Sequence, residues 1–312
     1  MAPAGSGVTA NFTNSKDRMK ILIYFTLLFG MLLTRIAHAE ISVIDDTGQL
    51  VQLAHPAKRI ISLAPHATEL LFAAGAGDRV VGVVKYSDYP AAALRLPLVG
   101  SYNSLDMESM LALSPDIIIV WKNGNNAAQI EKLKTLGVKL YFSEPQNIAD
   151  IANAIERLGK LAHTEPQATQ SARQFREKYV KLTSRYSARP PITVFYQIWN
   201  RPMMTINGKQ IISDVIRQCG GSNIFSDLPT LTPSLSMEAV LAADPQVIIA
   251  SGMGNKRPAW LDEWRRWPGL SAVQHDNLYF VFSDLINRPT PRLLEGMEQI
   301  CTILEQARQH LH

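Results

Sequence analysis

The feature that most constrains this chain is a segment of sixteen residues that occurs twice. The first copy, SLDMESMLALSPDIII, begins at Ser104, and the second copy, SLSMEAVLAADPQVII, begins at Ser234. Nine of the sixteen positions are identical at one constant offset of 130 residues, which two unrelated segments would rarely show. We interpret the duplication as the mark of two similar lobes.

Each copy predicts a short helix followed by a buried strand. Asp106 and Ser236 stand at helix N-cap positions, and a proline after each apolar segment ends the helix, because the residue before proline avoids the helical region. The runs at 117–120 and 247–249 are β-branched and apolar without alternation, which is typical of parallel strands covered on both faces. The predicted fold class is therefore α/β.

Glu108 and Glu238 occupy the same place in the two copies, in the first helical turn. One explanation is local, since a carboxylate there complements the helix dipole and the unpaired N–H groups. The other explanation is functional, since two matched carboxylates on two similar lobes suit docking on a two-fold symmetric partner. Both explanations stay open at this point.

Residues 1–39 predict a secretory signal peptide. Three basic residues precede an apolar run at 21–33, and small residues at 37–39 supply a cleavage site. Thirteen apolar residues are too few for a bilayer, which needs about 20. Cleavage would leave Glu40 as the first residue, with Met19 as an alternative start and an uncleaved anchor as the alternative interpretation.

The charge balance argues against a nucleic-acid partner. Removal of residues 1–39 leaves 27 basic and 26 acidic residues, so the net charge falls from +4 to +1. The remaining chain has no basic arm, no Arg-rich helix and no aromatic residues set in a basic stripe, which such partners require. Its 273 residues are enough for two lobes with separate cores.

Strands and helices alternate along the chain and predict a central, mostly parallel sheet flanked by helices in each lobe. We assign residues 40–165 to the N-terminal lobe, 166–190 to a linker helix and 191–312 to the C-terminal lobe. The stretch 169–186 is apolar-periodic and contains neither glycine nor proline, so a rigid helix of about 30 Å is expected. No Gly/Ser linker joins the lobes, and a large hinge closure is not expected.

The only cysteines are Cys219 and Cys301. In an oxidising compartment they could form a disulfide, which would close a loop of 82 residues and stabilise the fold by roughly 4 to 5 kcal/mol. The alternative is a pair of buried free thiols.

Ligands of open α/β sheets lie beyond the carboxyl ends of the strands. This rule selects Pro65 and His66, Lys85–Tyr89, Trp121 and Lys122, Trp199–Pro202, Gly252–Asn255, and Asp284–Arg288. Tyr86, Tyr89, Tyr102, Trp121 and Trp199 flank polar, glycine or proline positions rather than an apolar stripe. Together they predict an amphipathic cleft for a large, partly apolar ligand.

Motifs for catalysis are missing from the sequence. It has no Gly-x-Ser-x-Gly elbow, no phosphate-binding Gly-x-x-x-x-Gly-Lys-Ser/Thr loop and no Cys-x-x-Cys pair. His66 and Glu69 have the spacing of a metal-ligand pair on one helix face, but no second pair completes a di-metal site. We expect no catalytic residues and no metal site, and we place His66 at the cleft edge or the helix start.

Several segments resemble a known family, the class III (helical-backbone) periplasmic binding proteins of ABC importers, which carry cobalamin, haem and iron–siderophore complexes. The segments are Arg59–Gly75, Tyr86–Pro90, Leu113–Trp121, Cys219–Phe225, and Ser283–Asp284 followed by Arg288 and Pro291–Arg292. The resemblance runs through nearly all of the chain after residue 39 and is closest to the cobalamin-binding members.

The resemblance implies a monomeric periplasmic carrier of cobalamin or a related corrinoid, with no catalytic cofactor. It implies ligand contacts from Tyr86, Trp121, Asp284 and Arg288, to which the cleft argument adds Tyr102 and Trp199. At Tyr102 the close relatives have tryptophan.

The resemblance also implies an ABC permease dimer with its ATPase subunits as the partner. Glu108 and Glu238 are then the carboxylates that dock on arginines of the two permease subunits. The cysteine pair matches a disulfide in the second lobe of the family.

Two alternatives remain from the sequence. A haem or ferric-siderophore carrier shares the architecture, and haem would find an axial ligand in Tyr86, Tyr102 or His66. A periplasmic chelatase-like enzyme of related fold is the alternative from a different class.

Overall fold

The structure is a computed structural model, and it describes residues 40–252 and 256–311. The predicted signal peptide, residues 1–39, lies outside the described residues. Within the described ranges, no helix combines the length and the apolar character that crossing a membrane requires.

A β-hairpin opens the described chain. Ile41–Ile44 (β1) pairs antiparallel with Leu50–Leu53 (β2). The Asp45 carboxylate accepts the backbone N–H groups of Thr47 at 2.8 Å and Gln49 at 3.0 Å, so one side chain satisfies the donors of the turn.

The first lobe is built on a four-stranded parallel sheet. Its strands are β3 (Ile60–Ser62), β4 (Val80–Val83), β7 (Ile117–Trp121) and β8 (Leu140–Ser143), with a small antiparallel pair of β5 (Gly100–Ser101) and β6 (Ser104–Leu105) between them in sequence. Its helices are α1 (Pro65–Ala73), α2 (Met107–Ala112), α3 (Ala127–Thr135) and α4 (Ile148–Ala162). The strand order is β4-β3-β7-β8.

The second lobe follows a 22-residue helix, α5 (Glu165–Tyr186). Its strands are β9 (Ile192–Gln197), β10 (Gly221–Asn223), β11 (Val247–Ala250) and β12 (Leu278–Phe280). Its helices are α6 (Ile211–Gln218), α7 (Met237–Ala243), α8 (Ser271–Gln274), α9 (Ser283–Ile286) and α10 (Leu293–His310). The strands are all parallel in the order β10-β9-β11-β12, which repeats the order of the first lobe. The predicted α/β fold with two similar lobes is confirmed.

The two copies of the repeat have the predicted local structure. The Asp106 side chain accepts the backbone N–H of Ser109 at 3.1 Å, and the Ser236 hydroxyl accepts that of Ala239 at 3.3 Å. Each cap starts a helix of six or seven residues, α2 or α7, which leads into the third strand of its sheet. The same sequence signal therefore produces the same helix–strand unit in both lobes.

Helix α5 connects the lobes through its apolar face. Ala168, Phe175 and Leu182 are buried on it and belong to one continuous apolar cluster. This cluster includes Ile60 of β3 in the first lobe and Val194 of β9 in the second lobe. The lobes thus share a core. The lobe limits 40–165 and 191–312 remain a prediction.

The opposite face of each sheet has a separate core. Side chains alternate across a strand, so Ile60 points into the shared cluster while its neighbour Ile61 packs with Met110 of α2. In the second lobe, Phe195 of β9 packs on this outer side with Trp264. Covering on both faces explains why these strands are apolar without alternation.

A disulfide joins Cys219, at the end of α6, to Cys301 in the middle of α10. Beside it, the Arg308 guanidinium donates to the carbonyl oxygens of Pro190 at 2.8 Å, Cys219 at 3.1 Å and Gly220 at 2.9 Å. The disulfide alternative of the sequence analysis is therefore the one in the structure, and α10 is fastened to the second lobe covalently and by hydrogen bonds.

We expect the double variant Cys219→Ala and Cys301→Ala to lose about 4 kcal/mol of unfolding free energy, because the unfolded chain gains the freedom of a loop closed over a separation of 82 residues. Urea unfolding of the oxidised protein and the double variant measures the difference. A loss below about 1 kcal/mol, or two thiols that alkylate without reduction, would contradict the expectation.

Candidate functional site

The candidate site lies at the carboxyl ends of the strands, where the loops of the two lobes meet, and we call this region the cleft. In both sheets the chain leaves the first and third strands in opposite directions, which creates a crevice between them. His66 and Trp121 lie at this point in the first lobe, and Trp199 and Gly252 in the second. Residues 253–255 of the predicted set lie outside the described residues.

Three neighbouring aromatic side chains, His66, Tyr102 and Trp121, form the first-lobe side of the cleft, and we call them the aromatic group. The Trp121 ring lies 5.7 Å from the His66 ring, edge to face, and 5.9 Å from the Tyr102 ring, measured between centroids. Asn125 fixes this arrangement: its amide nitrogen donates to the carbonyl oxygens of Leu63 at 2.9 Å and Tyr102 at 2.7 Å, and its amide oxygen accepts the N–H of Trp121 at 2.7 Å. The structure brings three predicted residues together and adds Asn125.

Tyr86 projects from the loop after β4. Its side chain is 70% exposed, and its backbone φ of +68° lies in the left-handed region, which is uncommon for a residue other than glycine. A cavity of about 310 Å³ adjoins the loop and is lined by Tyr86, Asp88 and the apolar Leu94 and Leu98. Such a strained and exposed aromatic residue is typical of a binding loop.

His66 is buried beside Trp121, with 5% of its surface exposed. Burial lowers its pKa to about 4, and the positive charge of Arg288 adds to this effect, while a hydrogen bond to the Ser143 backbone opposes it. Its Nε2 atom has no hydrogen-bond partner among the residues that the structure describes. The imidazole is therefore neutral at pH 7.

Five charged side chains meet across the two lobes, and we call them the cross-lobe cluster: Glu69, Asp88, Asp284, Arg288 and Arg292. Glu69 of α1 accepts two hydrogen bonds from Arg292, at 2.9 and 2.6 Å, and one from Arg288 at 3.1 Å. Its side chain is 1% exposed. Because arginines occupy both of its oxygens, Glu69 is not available to bind a metal ion together with His66.

The Arg288 guanidinium lies among three carboxylates. It donates to Asp88 of the first lobe at 2.7 Å and lies 3.3 Å from Asp284 of its own lobe, besides its bond to Glu69. Burial lowers the pKa of Arg288, but the hydrogen bonds to Asp88 and Glu69 and the negative charges of Asp88 and Asp284 together outweigh burial and hold the pKa above its usual value. Arg292 stacks on the Tyr89 ring, 4.0 Å from its centroid. The predicted ligand contacts Asp284 and Arg288 thus belong to a charged bridge between the lobes.

The second-lobe side of the cleft carries two half-exposed aromatic rings. Trp199 is 38% exposed, and its Nε1 donates to the carbonyl oxygen of Arg201 at 3.0 Å. Phe282, two residues before Asp284, packs edge to face on Phe280 at 5.4 Å between centroids. Sequence reasoning missed Phe282, although its place directly after β12 is the signal that selected its neighbours.

Glu108 and Glu238 are both exposed in the first turns of their helices. Hydrogen bonds from its own backbone N–H and from the Ser236 hydroxyl lower the pKa of Glu238. Both carboxylates are thus available at the surface, and their docking role stays a prediction. Among residues 40–252 and 256–311, no group of histidine, cysteine and acidic side chains could hold a metal ion.

The sequence model of the periplasmic binding protein family matches residues 60–285, and the chain belongs to this family. The vitamin B12-binding protein of Vibrio cholerae is 40% identical over 266 residues, which cover 84% of this chain and 95% of that protein. The vitamin B12-binding protein of Vibrio parahaemolyticus is 37% identical over 263 residues, 83% of this chain and 94% of the relative.

Solved structures agree with this assignment. The periplasmic vitamin B12 binding protein BtuF of Vibrio cholerae has a TM-score of 0.74 at 40% identity, with 81% of this chain and 98% of that chain covered. The periplasmic haem-binding protein HutB of Vibrio cholerae has a TM-score of 0.69 at 22% identity, covering 79% and 98%. The second likeness shows the fold alone. The predicted family is confirmed.

The buried His66 should make the protein less stable in acid. Its folded pKa of about 4 lies below the usual histidine pKa of 6.5, so the unfolded chain binds the proton more tightly, and stability falls as the pH drops from 6.5 towards 4. Between pH 7 and pH 4.5, we expect the unfolding free energy of His66→Gln to fall by about 2 to 3 kcal/mol less than that of the wild type.

Urea unfolding at the two pH values measures the loss. His163→Gln is the matched control, because His163 is an exposed histidine on the surface of the first lobe. Equal pH dependence in the wild type and His66→Gln would contradict the assignment.

Proposed function

We propose that the protein is a periplasmic carrier of cobalamin or a related corrinoid, which it delivers to an ABC importer. The observation that carries the proposal is that this chain is 40% identical to a vitamin B12-binding protein, over 95% of the length of that relative. The family alone does not choose the ligand, since a haem-binding protein shares the fold.

The cleft has the chemistry that a corrinoid needs. A corrin ring is large and flat, with apolar faces and amide side chains at its edge. Tyr86, Tyr102, Trp121 and Trp199 offer aromatic surface for the ring and its substituents. Asp284 and Arg288, at the boundary of the lobes, offer an acceptor and donors for the amides.

Delivery completes the proposal. The carrier is a monomer and catalyses no reaction. Residues 1–39 direct its export and are then removed by cleavage between Ala39 and Glu40. Glu108 and Glu238 dock on arginines of the two permease subunits, one carboxylate on each, and separate ATPase subunits supply the energy. The equivalent, capped and exposed positions of the two glutamates support this role.

The first test is a titration with cyanocobalamin and with haemin, followed by calorimetry and absorbance. Protein from the periplasm of cells that express the full chain is used, and its intact mass shows whether it begins at Glu40. We expect saturable binding of one cyanocobalamin per chain, with the ligand recovered chemically unchanged.

We expect a Trp121→Ala variant to bind about tenfold or more weakly, because it removes the central ring of the aromatic group. Saturable haemin binding without cyanocobalamin binding would replace the proposal with the haem carrier. Chemical conversion of the ligand would replace it with the enzyme.

The docking role predicts a separation of binding from transport. The double variant Glu108→Ala and Glu238→Ala should keep its affinity for cyanocobalamin within about twofold and lose uptake, because both side chains lie on the surface. Uptake is measured in cells that depend on this protein for the ligand.

The matched control is the double variant Glu131→Ala and Glu177→Ala. It also removes two exposed helix carboxylates, whose side chains are 65% and 69% exposed. Its uptake should equal that of the wild type. Normal uptake by the Glu108/Glu238 double variant would refute the docking role.

A further inference from the structure

The cross-lobe cluster is built as two layers of unequal burial. The inner layer is the pair of Glu69 and Arg292, whose side chains are 1% and 14% exposed and share two hydrogen bonds. The outer layer is the pair of Arg288 with Asp88, whose side chains are 14% and 45% exposed, so the two layers differ in the burial of their carboxylates and not of their arginines. Solvent weakens the outer pair, whereas the inner pair cannot be broken without leaving a buried charge uncompensated.

Both layers cross from one lobe to the other. Glu69 lies on α1, which follows β3 of the first sheet, and Asp88 lies in the loop that follows β4. Arg288 and Arg292 lie between α9 and α10 of the second lobe. The cluster is therefore at the carboxyl ends of both sheets, beside the cleft, while the shared apolar core joins the lobes through the faces of the sheets and their helices.

Glu69 is the residue on which the cluster depends. Of the three carboxylates in the cluster, it is the one that bonds both arginines, and its side chain is buried whereas those of Asp88 and Asp284 are partly exposed. Without its charge, two guanidinium groups would stand close together, with only the half-exposed Asp88 and Asp284 to offset them. The lobes would then lose these hydrogen bonds, and two largely buried guanidinium groups would lack their partner, so a wider spacing that admits water would be favoured.

We propose that Glu69 is a positioning residue that sets the spacing of the two lobes at the cleft and holds Arg288 and Asp284 in place for the ligand. Its effect on ligand affinity rests on the proposed function. Its effect on the spacing of the lobes does not, because the contacts join protein to protein.

The spacing is measured without ligand, in the full chain. Nitroxide labels are placed on Lys132→Cys in the first lobe and Arg266→Cys in the second, both of which are exposed, and pulsed electron spin resonance gives the distance distribution between them. We expect Glu69→Gln to shift and broaden the distribution towards longer distances. We expect its affinity for cyanocobalamin to fall by about tenfold or more, with faster dissociation.

The matched control is Glu156→Gln. Glu156 of α4 also accepts two hydrogen bonds from one arginine, Arg176 of α5, at 2.7 and 2.8 Å, but this pair does not cross to the second lobe. The control should lower stability without changing the label distance or the affinity. A merely structural role for Glu69 would make the two variants behave alike.

Glu69→Asp keeps the charge on a shorter side chain. This variant tests the same inference if Glu69→Gln does not fold. It should give a distribution and an affinity between those of the wild type and the Gln variant, because one carboxylate can no longer reach both arginines. A label distance in folded Glu69→Gln or Glu69→Asp equal to that of the wild type overturns the inference. Failure of the wild type to bind cyanocobalamin refutes the proposed function instead, and the label distances still decide the role of Glu69.

Discussion

The rest of the structure depends on one constraint, which is that a parallel sheet must be covered on both faces. Each lobe covers one face with its own helices, whereas the other face of each sheet faces a cluster that contains residues of both lobes and of α5. Neither lobe could bury that second face alone. The lobes are therefore joined by packing as well as by chain, which explains why the connection needs no flexible linker.

Much of this architecture could be predicted because its signals are local. The caps at Asp106 and Ser236 and the β-branched strands after them lie within short segments, and the duplication let each copy support the other. The short strand β10 gave no such signal: Gly221–Asn223 contains no β-branched residue and becomes a strand only because β9 lies beside it. Strand pairing of this kind is a tertiary property.

The site could be predicted in part. The ends of predicted strands selected Tyr86, Trp121 and Arg288, because the strand direction fixes which loops face the cleft. The partners of these residues could not be found in the same way. Glu69 and Arg292 are separated by 223 positions, and no spacing rule connects a helix of the first lobe with the start of the last helix. His66 and Glu69 instead suggested a local pair, which the structure replaces with pairing across the lobes.

Helix α10 makes contacts with both lobes. Arg292 stands just before its first turn and bonds Glu69 of the other lobe, Cys301 holds its middle, and Arg308 near its end donates to three carbonyl groups. Synthesis runs from the amino to the carboxyl end, so this helix emerges after both sheets. Until it is made, the earlier lobe has a buried acid without its basic partner, and the later lobe lacks part of its wall. The charged bridge between the two halves thus forms only after helix α10 has been made.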